Sequence, residues 1–284
     1  MLKLAVFGHP VEHSLSPQIH ALFAKQCGIE IDYRAIDCPA GDLDAALQAF
    51  RIAGGRGCNL TVPIKAEGLD LAASWTQAAR EAGACNTLTL RSGGGWHADN
   101  TDGAGLVRDL ERLGIDIGNR RVLIIGAGGA AAGILGPLLR LKPHAICVIN
   151  RDLERARQLC GCFADLALER RVELAPASLK RGPDGRYDRL IQATSLGHAG
   201  TSPPVQRCWL ERSTTAYDLN YGPAFAPFRS WCESSEIVVH GGFGMLLEQA
   251  ALAFERFTGT RPEIAPVHEA LAAGTAGRRQ PPAQ

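Results

Sequence analysis

Arg121-Val122-Leu123-Ile124-Ile125-Gly126-Ala127-Gly128-Gly129-Ala130-Ala131 is the stretch that decides the fold. A short continuous apolar run of this kind reads as a strand buried on both faces. It ends in a G-x-G-x-x-A turn, from which an apolar helix runs toward Leu141. Gly126 permits the tight turn, Gly128 lets backbone N–H groups approach a pyrophosphate, and small Ala131 lets helix and strand pack closely. With Gly126, Ala127, Gly128, Gly129 and Ala130 around it, the helix N-terminus faces the phosphates of a dinucleotide. Glycine-alanine runs also arise in plain helix packing, but a turn between an apolar strand and a helix favours the nucleotide reading.

The next strand, Ala145 to Ile149, closes on Asn150-Arg151-Asp152. At such a strand end an acidic residue selects a free ribose 2′-hydroxyl, whereas an arginine accommodates a 2′-phosphate. Arg151 and, one helical turn on, Arg155 favour NADP. Asp152 has two readings: it caps the following helix, or it repels the phosphate and tips the preference to NAD.

Working outward, Arg189 to Gln192, Thr215 to Leu219 and Glu236 to Val239 supply further strands at intervals suited to crossover helices. The dinucleotide domain is therefore expected over 103–242. Ahead of it, strand and helix patterns alternate: Leu2 to Phe7, Pro17 to Cys27, Tyr33 to Asp37, Leu43 to Ile52, Gly57 to Leu60, a helix-rich run to Gly83, and Thr87 to Leu90. Ser92-Gly93-Gly94-Gly95 makes a turn before Trp96. This is a second α/β unit, over 1–102. The helical pattern from Met245 to Phe257 has no strand after it, so 243–284 is expected to return to the first unit, with Gly274 to Gln284 fraying. The fold class is α/β, with two domains and a cleft between them.

The chain has 284 residues, a formal net charge of +1 and 46% apolar residues, a soluble composition with no field for gathering nucleic acid or an anionic membrane. No apolar run approaches a bilayer span, and Met1 to Val6 enters a strand-like segment rather than a signal peptide, so the cytoplasm is expected. Nine scattered cysteines read as reduced and mostly buried thiols, with Gly161 of Cys160-Gly161-Cys162 stopping a helix and no metal site.

Moving a hydride between an alcohol carbon and a nicotinamide needs a group that takes or returns the hydroxyl proton. Lys65 and Asp102 are the candidates. A carboxylate beside a lysine in a cleft fixes its position and keeps an ammonium available to protonate a forming alkoxide. Lys65 follows Val62-Pro63, a helix start after a strand end, which is where open α/β sheets place ligands. Ser14 and Ser16 likewise leave a strand and enter a helix at Pro17, a setting that suits a carboxylate, although Ser16 also reads as an ordinary N-cap.

Several motifs together resemble the shikimate dehydrogenase family: His13-Ser14-Leu15-Ser16-Pro17, Asn59-Leu60-Thr61-Val62-Pro63-Ile64-Lys65, Cys85-Asn86-Thr87, Asn100-Thr101-Asp102-Gly103, Gly126 to Ala131, Ala193-Thr194-Ser195-Leu196-Gly197, Tyr217-Asp218-Leu219-Asn220-Tyr221 and Gly244-Met245-Leu246. They span nearly the whole chain in order. The resemblance implies reversible NADP-linked reduction of 3-dehydroshikimate to shikimate, in a monomer or homodimer with an open cleft between a substrate domain and a Rossmann domain. It implies Ser14, Ser16 and Tyr221 on the substrate carboxylate, and Thr61, Asn86, Asp102 and Gln249 on the ring hydroxyls. Lys65 and Asp102 match the catalytic pair. Asn150, Arg151, Arg155, Thr194, Leu219, Gly242 and Met245 would join the glycine turn along the cofactor, with Met245 near the nicotinamide.

The chain departs from the family pattern at Gln192, where Asn is usual, at Gly241 for Asp, at Phe243 for Leu, and at Asp152 for Thr. Two other readings compete: a quinate/shikimate dehydrogenase using NAD, and a non-catalytic relative that senses ligand. Retention of both Lys65 and Asp102 argues against the second, because a sensor needs binding hydroxyls but no proton-transfer pair.

Overall fold

The computed structural model describes residues 1–276, which form two six-stranded sheets with helices around them. The first part of the chain runs β1 (Leu2–Gly8), α1 (Ser16–Cys27), β2 (Ile31–Asp37), α2 (Leu43–Ile52), β3 (Gly55–Leu60), α3 (Lys65–Asp70), β4 (Ser74–Trp75), α4 (Gln77–Ala82), β5 (Thr87–Leu90) and β6 (Trp96–Asp99). Its strands lie in the order β2-β1-β3-β5-β6-β4. The first three are parallel, and β5 runs antiparallel to both of its neighbours, so the sheet is mixed.

The chain continues with α5 (Asp102–Arg112), β7 (Arg121–Ile125), α6 (Gly129–Arg140), β8 (Ala145–Asn150), α7 (Leu153–Cys162), α8 (Ala164–Arg170), β9 (Glu173–Ser178), β10 (Tyr187–Gln192), β11 (Leu210–Asp218), α9 (Ala226–Ser234) and β12 (Val238–Gly241). These strands are all parallel, in the order β12-β11-β10-β7-β8-β9. The order reverses between β7 and β10, and at such a switch point an open α/β sheet leaves a crevice beyond the strand ends. Strand alternation explains why β7 is apolar throughout. Val122 and Ile124 pack into one core with Ile146 and Val148, while Leu123 and Ile125 pack into another with Cys147 and Ile149 on the opposite face.

The last helices, α10 (Phe243–Thr258) and α11 (Ala265–Ala276), bury Leu247, Phe254, Val267 and Leu271 against Ile19 and Phe23 of α1. Helix α10 also lies close on α5, where a Cβ at Gly244 would collide with the Asp109 carboxylate. Among the described residues no helix is long and apolar enough to cross a membrane.

Several elements differ from expectation. Strand β9 was not foreseen, because Glu173-Leu174-Ala175-Pro176-Ala177-Ser178 is no apolar run. It is an edge strand paired only with β8, where Pro176 is tolerated and half-burial suffices. The last strand starts at Val238 rather than Glu236, which takes a left-handed turn (φ 56°) after α9. Strand β11 starts at Leu210, ahead of Thr215, across a register shift against β10. Gly161 does not stop its helix: α7 runs to Cys162, and buried Phe163 turns the chain into α8. Gly274 to Ala276 belong to α11, and the rest of the expected frayed end lies outside the described residues.

Candidate active site

Lys65 is the first residue of α3 and Asp102 the first of α5, so each leaves a strand end and starts a helix. Lys65 Nζ donates to Asp102 Oδ2 at 2.6 Å, and both side chains are largely buried. The other carboxylate oxygen, Oδ1, accepts from Asn86 Nδ2 at 2.8 Å. That amide also reaches Gln249 Oε1 at 3.2 Å, and Gln249 Nε2 is held by Leu246 O at 2.9 Å. Two donors, one on each oxygen, fix the orientation of this shielded carboxylate, which in turn holds Lys65 Nζ in place.

These groups face a cleft of about 730 Å³. Of the expected substrate residues, Ser14, Ser16, Thr61, Lys65, Asn86, Asp102, Tyr221 and Gln249 all line it. Ser16 is not an N-cap: it is already inside α1, the cap is Leu15, and its backbone N–H donates to Ser14 Oγ at 3.3 Å. Burial raises the Tyr221 phenol above its ordinary range, so it stays a neutral donor. A carboxylate seated there would meet three hydroxyl groups.

Across the cleft, Ala130, Leu219, Gly242 and Met245 line the same space. The remaining expected cofactor residues lie outside it, along the carboxyl ends of the parallel strands. Gly126, with φ 109°, makes the turn after β7, and a Cβ there would stand 3.0 Å from Ala193 O. Side chains at Gly128 and Gly129 would meet nothing within 4 Å, so the N-terminus of α6 is bare. Open N–H groups at a helix N-terminus fit a pyrophosphate. Asn150, Arg151 and Arg155 stand at the end of β8 and the start of α7, with Arg151 and Arg155 exposed. Asp152 caps α7, its Oδ1 accepting from Glu154 N at 2.9 Å, and its Oδ2 lies 4.0 Å from Arg155 Nε. The residues present therefore fit a dinucleotide, with two exposed guanidinium groups at the strand end where a 2′-phosphate would sit.

Thr194 is held on both sides by Gln192, which accepts from its N–H at 2.6 Å and donates to its carbonyl at 3.2 Å. The departure at Gln192 thus helps close the turn after β10. Gly241 has no room for a side chain, since a Cβ would stand 2.8 Å from the Phe225 ring. Phe243 packs between Tyr221 and His268, with ring centroids 6.4 and 5.3 Å away.

His13, Asn59, His198 and Asn220 also line the cleft and were not assigned from the sequence. His13 and Asn59 sit inside quoted motifs, whereas nothing around His198 marks it. Asn220 is fixed by Asp218, whose Oδ1 accepts from both its backbone N–H and its side-chain amide, and it donates to Thr194 O at 2.9 Å. Burial pushes the Asp218 carboxyl up to about 7, against the pull of those Asn220 bonds.

A lysine-carboxylate pair in a cleft that Ala130, at the bare N-terminus of α6, also lines is the arrangement of a dinucleotide-dependent oxidoreductase. Comparison with known proteins narrows the class. Residues 6–88 match the shikimate dehydrogenase substrate binding domain, 110–180 the shikimate/quinate 5-dehydrogenase model, and 242–272 the shikimate 5′-dehydrogenase C-terminal domain. A shikimate dehydrogenase (NADP⁺) from Acidovorax sp. strain JS42 is 44% identical over 95% of this chain and 96% of its own length. Among solved structures, an Ael1 enzyme from Pseudomonas putida is 34% identical with a TM-score of 0.85, covering 95% of this chain and 98% of its own. Shikimate 5-dehydrogenase from Thermus thermophilus, in complex with NADP(H) and shikimate, is 32% identical with a TM-score of 0.83, covering 96% and 99%. The chain belongs to the shikimate dehydrogenase family.

Proposed function

We propose that this chain catalyses the reversible, NADP-linked interconversion of 3-dehydroshikimate and shikimate, in the pathway to aromatic amino acids. The observation that carries the reading is the Lys65–Asp102 contact of 2.6 Å inside the cleft that Ala130 and Met245 also line. Residues 1–102 with 243–284 act as the substrate domain, and 103–242 as the dinucleotide domain. Ser14, Ser16 and Tyr221 hold the substrate carboxylate, while Thr61, Asn86, Asp102 and Gln249 hold the ring hydroxyls. The glycine turn of Gly126 to Ala130, with Thr194, Leu219, Gly242 and Met245, seats the dinucleotide, and Asn150, Arg151 and Arg155 hold its adenosine end.

The dinucleotide supplies the hydride in reduction and accepts it in oxidation. Lys65 moves the proton. As the substrate carbonyl becomes an alcohol, its oxygen takes a proton from Lys65 Nζ, and in the reverse direction Nζ takes the hydroxyl proton back. Asp102 keeps Nζ aimed at that oxygen and balances its charge. The residues assigned here all come from one chain, which fits a monomer or a homodimer, and free thiols fit a cytoplasmic setting.

Initial rates followed at the nicotinamide band test this, with shikimate or quinate offered against NADP or NAD. Turnover confined largely to shikimate with NADP supports the reading. Comparable rates with quinate or NAD would make the chain a catabolic relative, and tight binding without turnover would make it a sensor.

A further inference from the structure

Along the substrate face of the cleft, which Asn59 lines, and behind it lies a run of polar side chains to which the reaction above gives no role: part-buried Tyr33 with Asn59, Thr87 and Thr101. Thr87 is fully buried, and Asn59 and Thr101 nearly so. Two backbone groups fix the direction of the hydrogen bonds that lead from Tyr33 to Asp102. The carbonyl of Asn86 can only accept, so the end of the Asn59 amide facing it, at 3.1 Å, is Nδ2. Asn59 Oδ1 therefore faces the Tyr33 hydroxyl, which donates to it at 2.8 Å. Asn59 Nδ2 also donates to Thr87 Oγ1 at 3.1 Å. A hydroxyl has one proton, and that of Thr87 goes to Asn86 Oδ1 at 2.8 Å.

The second fixed group is the backbone N–H of Thr101, which donates to the same Asn86 Oδ1 at 3.0 Å. Turned over, the Asn86 amide would set N–H against N–H at Thr101 and oxygen against oxygen at Asp102. Only one orientation satisfies both neighbours, and it presents Nδ2 to Asp102 Oδ1 at 2.8 Å while Lys65 takes Oδ2. Donors thus run one way, from Tyr33 through Asn59, Thr87 and Asn86 to Asp102. Hydrogen bonds in such a sequence polarise one another when shielded from water.

We propose that Thr87 and Asn59 are positioning residues for the reaction, locking Asn86 in the one orientation that donates to Asp102 and so keeps Asp102 Oδ2 turned to Lys65. The proposal rests on the reading of Lys65 and Asp102 as the proton-transfer pair. Thr87 does not line the cleft, and its effect passes through Asn86.

The test is a set of variants assayed with shikimate and NADP. Thr87→Val keeps the shape and removes the hydroxyl, and the loss of one buried hydrogen bond is expected to lower kcat about 3–10-fold while shikimate KM changes less than about twofold. Thr87→Ser restores the hydroxyl and should restore kcat to within about twofold of the parent. In an Asn86→Ala background, Thr87→Val should cost no more than about a further twofold, because the group it acts through is gone. A structural role would give equal losses in both backgrounds and no rescue by serine, and either result overturns the proposal. If Thr87→Val does not fold, Tyr33→Phe removes the first donor of the run and enters the same cycle, with the same non-additivity expected. Absence of turnover by the parent would instead overturn the functional reading, and the two failures are distinct.

Discussion

The hydroxyl of Tyr217, near the end of β11, donates to Asp109 Oδ2 of α5 at 2.6 Å, and both groups are buried. Arg112 holds the other carboxylate oxygen from the next helical turn. The contact ties the parallel sheet to the helix that begins at Asp102, and α10 packs onto the same carboxylate through Gly244. Tyr217→Phe leaves a buried carboxylate oxygen without its donor and is expected to lower stability by about 1–3 kcal/mol. Urea unfolding measures this, and an unchanged midpoint would show that the link adds nothing to stability.

Two glycines of the nucleotide turn should separate fold from cofactor binding. Gly126 has φ 109° and backbone at 3.0 Å from a would-be Cβ, so Gly126→Ala should cost about 1–3 kcal/mol of stability. Gly128 has ordinary backbone angles and open space, so Gly128→Val should fold like the parent. It blocks the helix N-terminus, however, and should raise the KM for NADP at least about tenfold. Equal unfolding temperatures for all three proteins would contradict the first half, and an unchanged KM in Gly128→Val the second.

The role proposed for Arg151 is to hold the 2′-phosphate. Arg151→Ala is expected to raise the KM for NADP by about 10–100-fold and to leave that for NAD within about twofold. Equal losses for both cofactors would remove Arg151 from that role. The capping bond from Asp152 is unaffected by the substitution, so helix α7 should stay intact.

Two buried groups shift in opposite directions. Burial lowers the His20 imidazole from 6.5 to about 3, with Asn59 pulling weakly upward, while Asp218 rises from 3.8 to about 7. Between these values the unfolded chain protonates His20 and the folded one does not, so the His20 contribution rises with pH from about 3 to about 6.5. The folded chain keeps a proton on Asp218 that the unfolded one has lost, so that contribution falls as pH rises from about 4 to about 7. Each slope is at most about 1.4 kcal/mol per pH unit, and the two oppose. Relative to the parent, Asp218→Asn should therefore gain stability more at pH 6.5 than at pH 5, and His20→Phe more at pH 5. Denaturant midpoints at both pH values check this, and parallel profiles for all three proteins would contradict it.

The strand-turn-helix at Arg121 to Ala131 was legible because a doubly buried strand leaves only apolar residues and a tight phosphate turn only small ones. Lys65 and the hydroxyls of Ser14 and Ser16 were legible as strand-to-helix junctions, and Asp102 as a carboxylate suited to pair with Lys65. Strand β9 was not, since an edge strand needs neither an apolar run nor freedom from proline. Nor was the use of Asp152, where capping and phosphate repulsion call for the same residue type and only the structure shows the cap, in the bond from Glu154 N. Asn59, Thr87 and Thr101 stood inside quoted motifs, yet their joint effect on Asn86 depends on hydrogen-bond directions that spacing does not carry.

The central claim is that Lys65 transfers the proton. The most direct measurement is kcat for Lys65→Ala with saturating shikimate and NADP, beside the KM for shikimate. A group acting mainly in the transition state predicts a loss of roughly 10²–10⁴ in kcat with a much smaller change in KM. A variant with unchanged kcat would contradict the account.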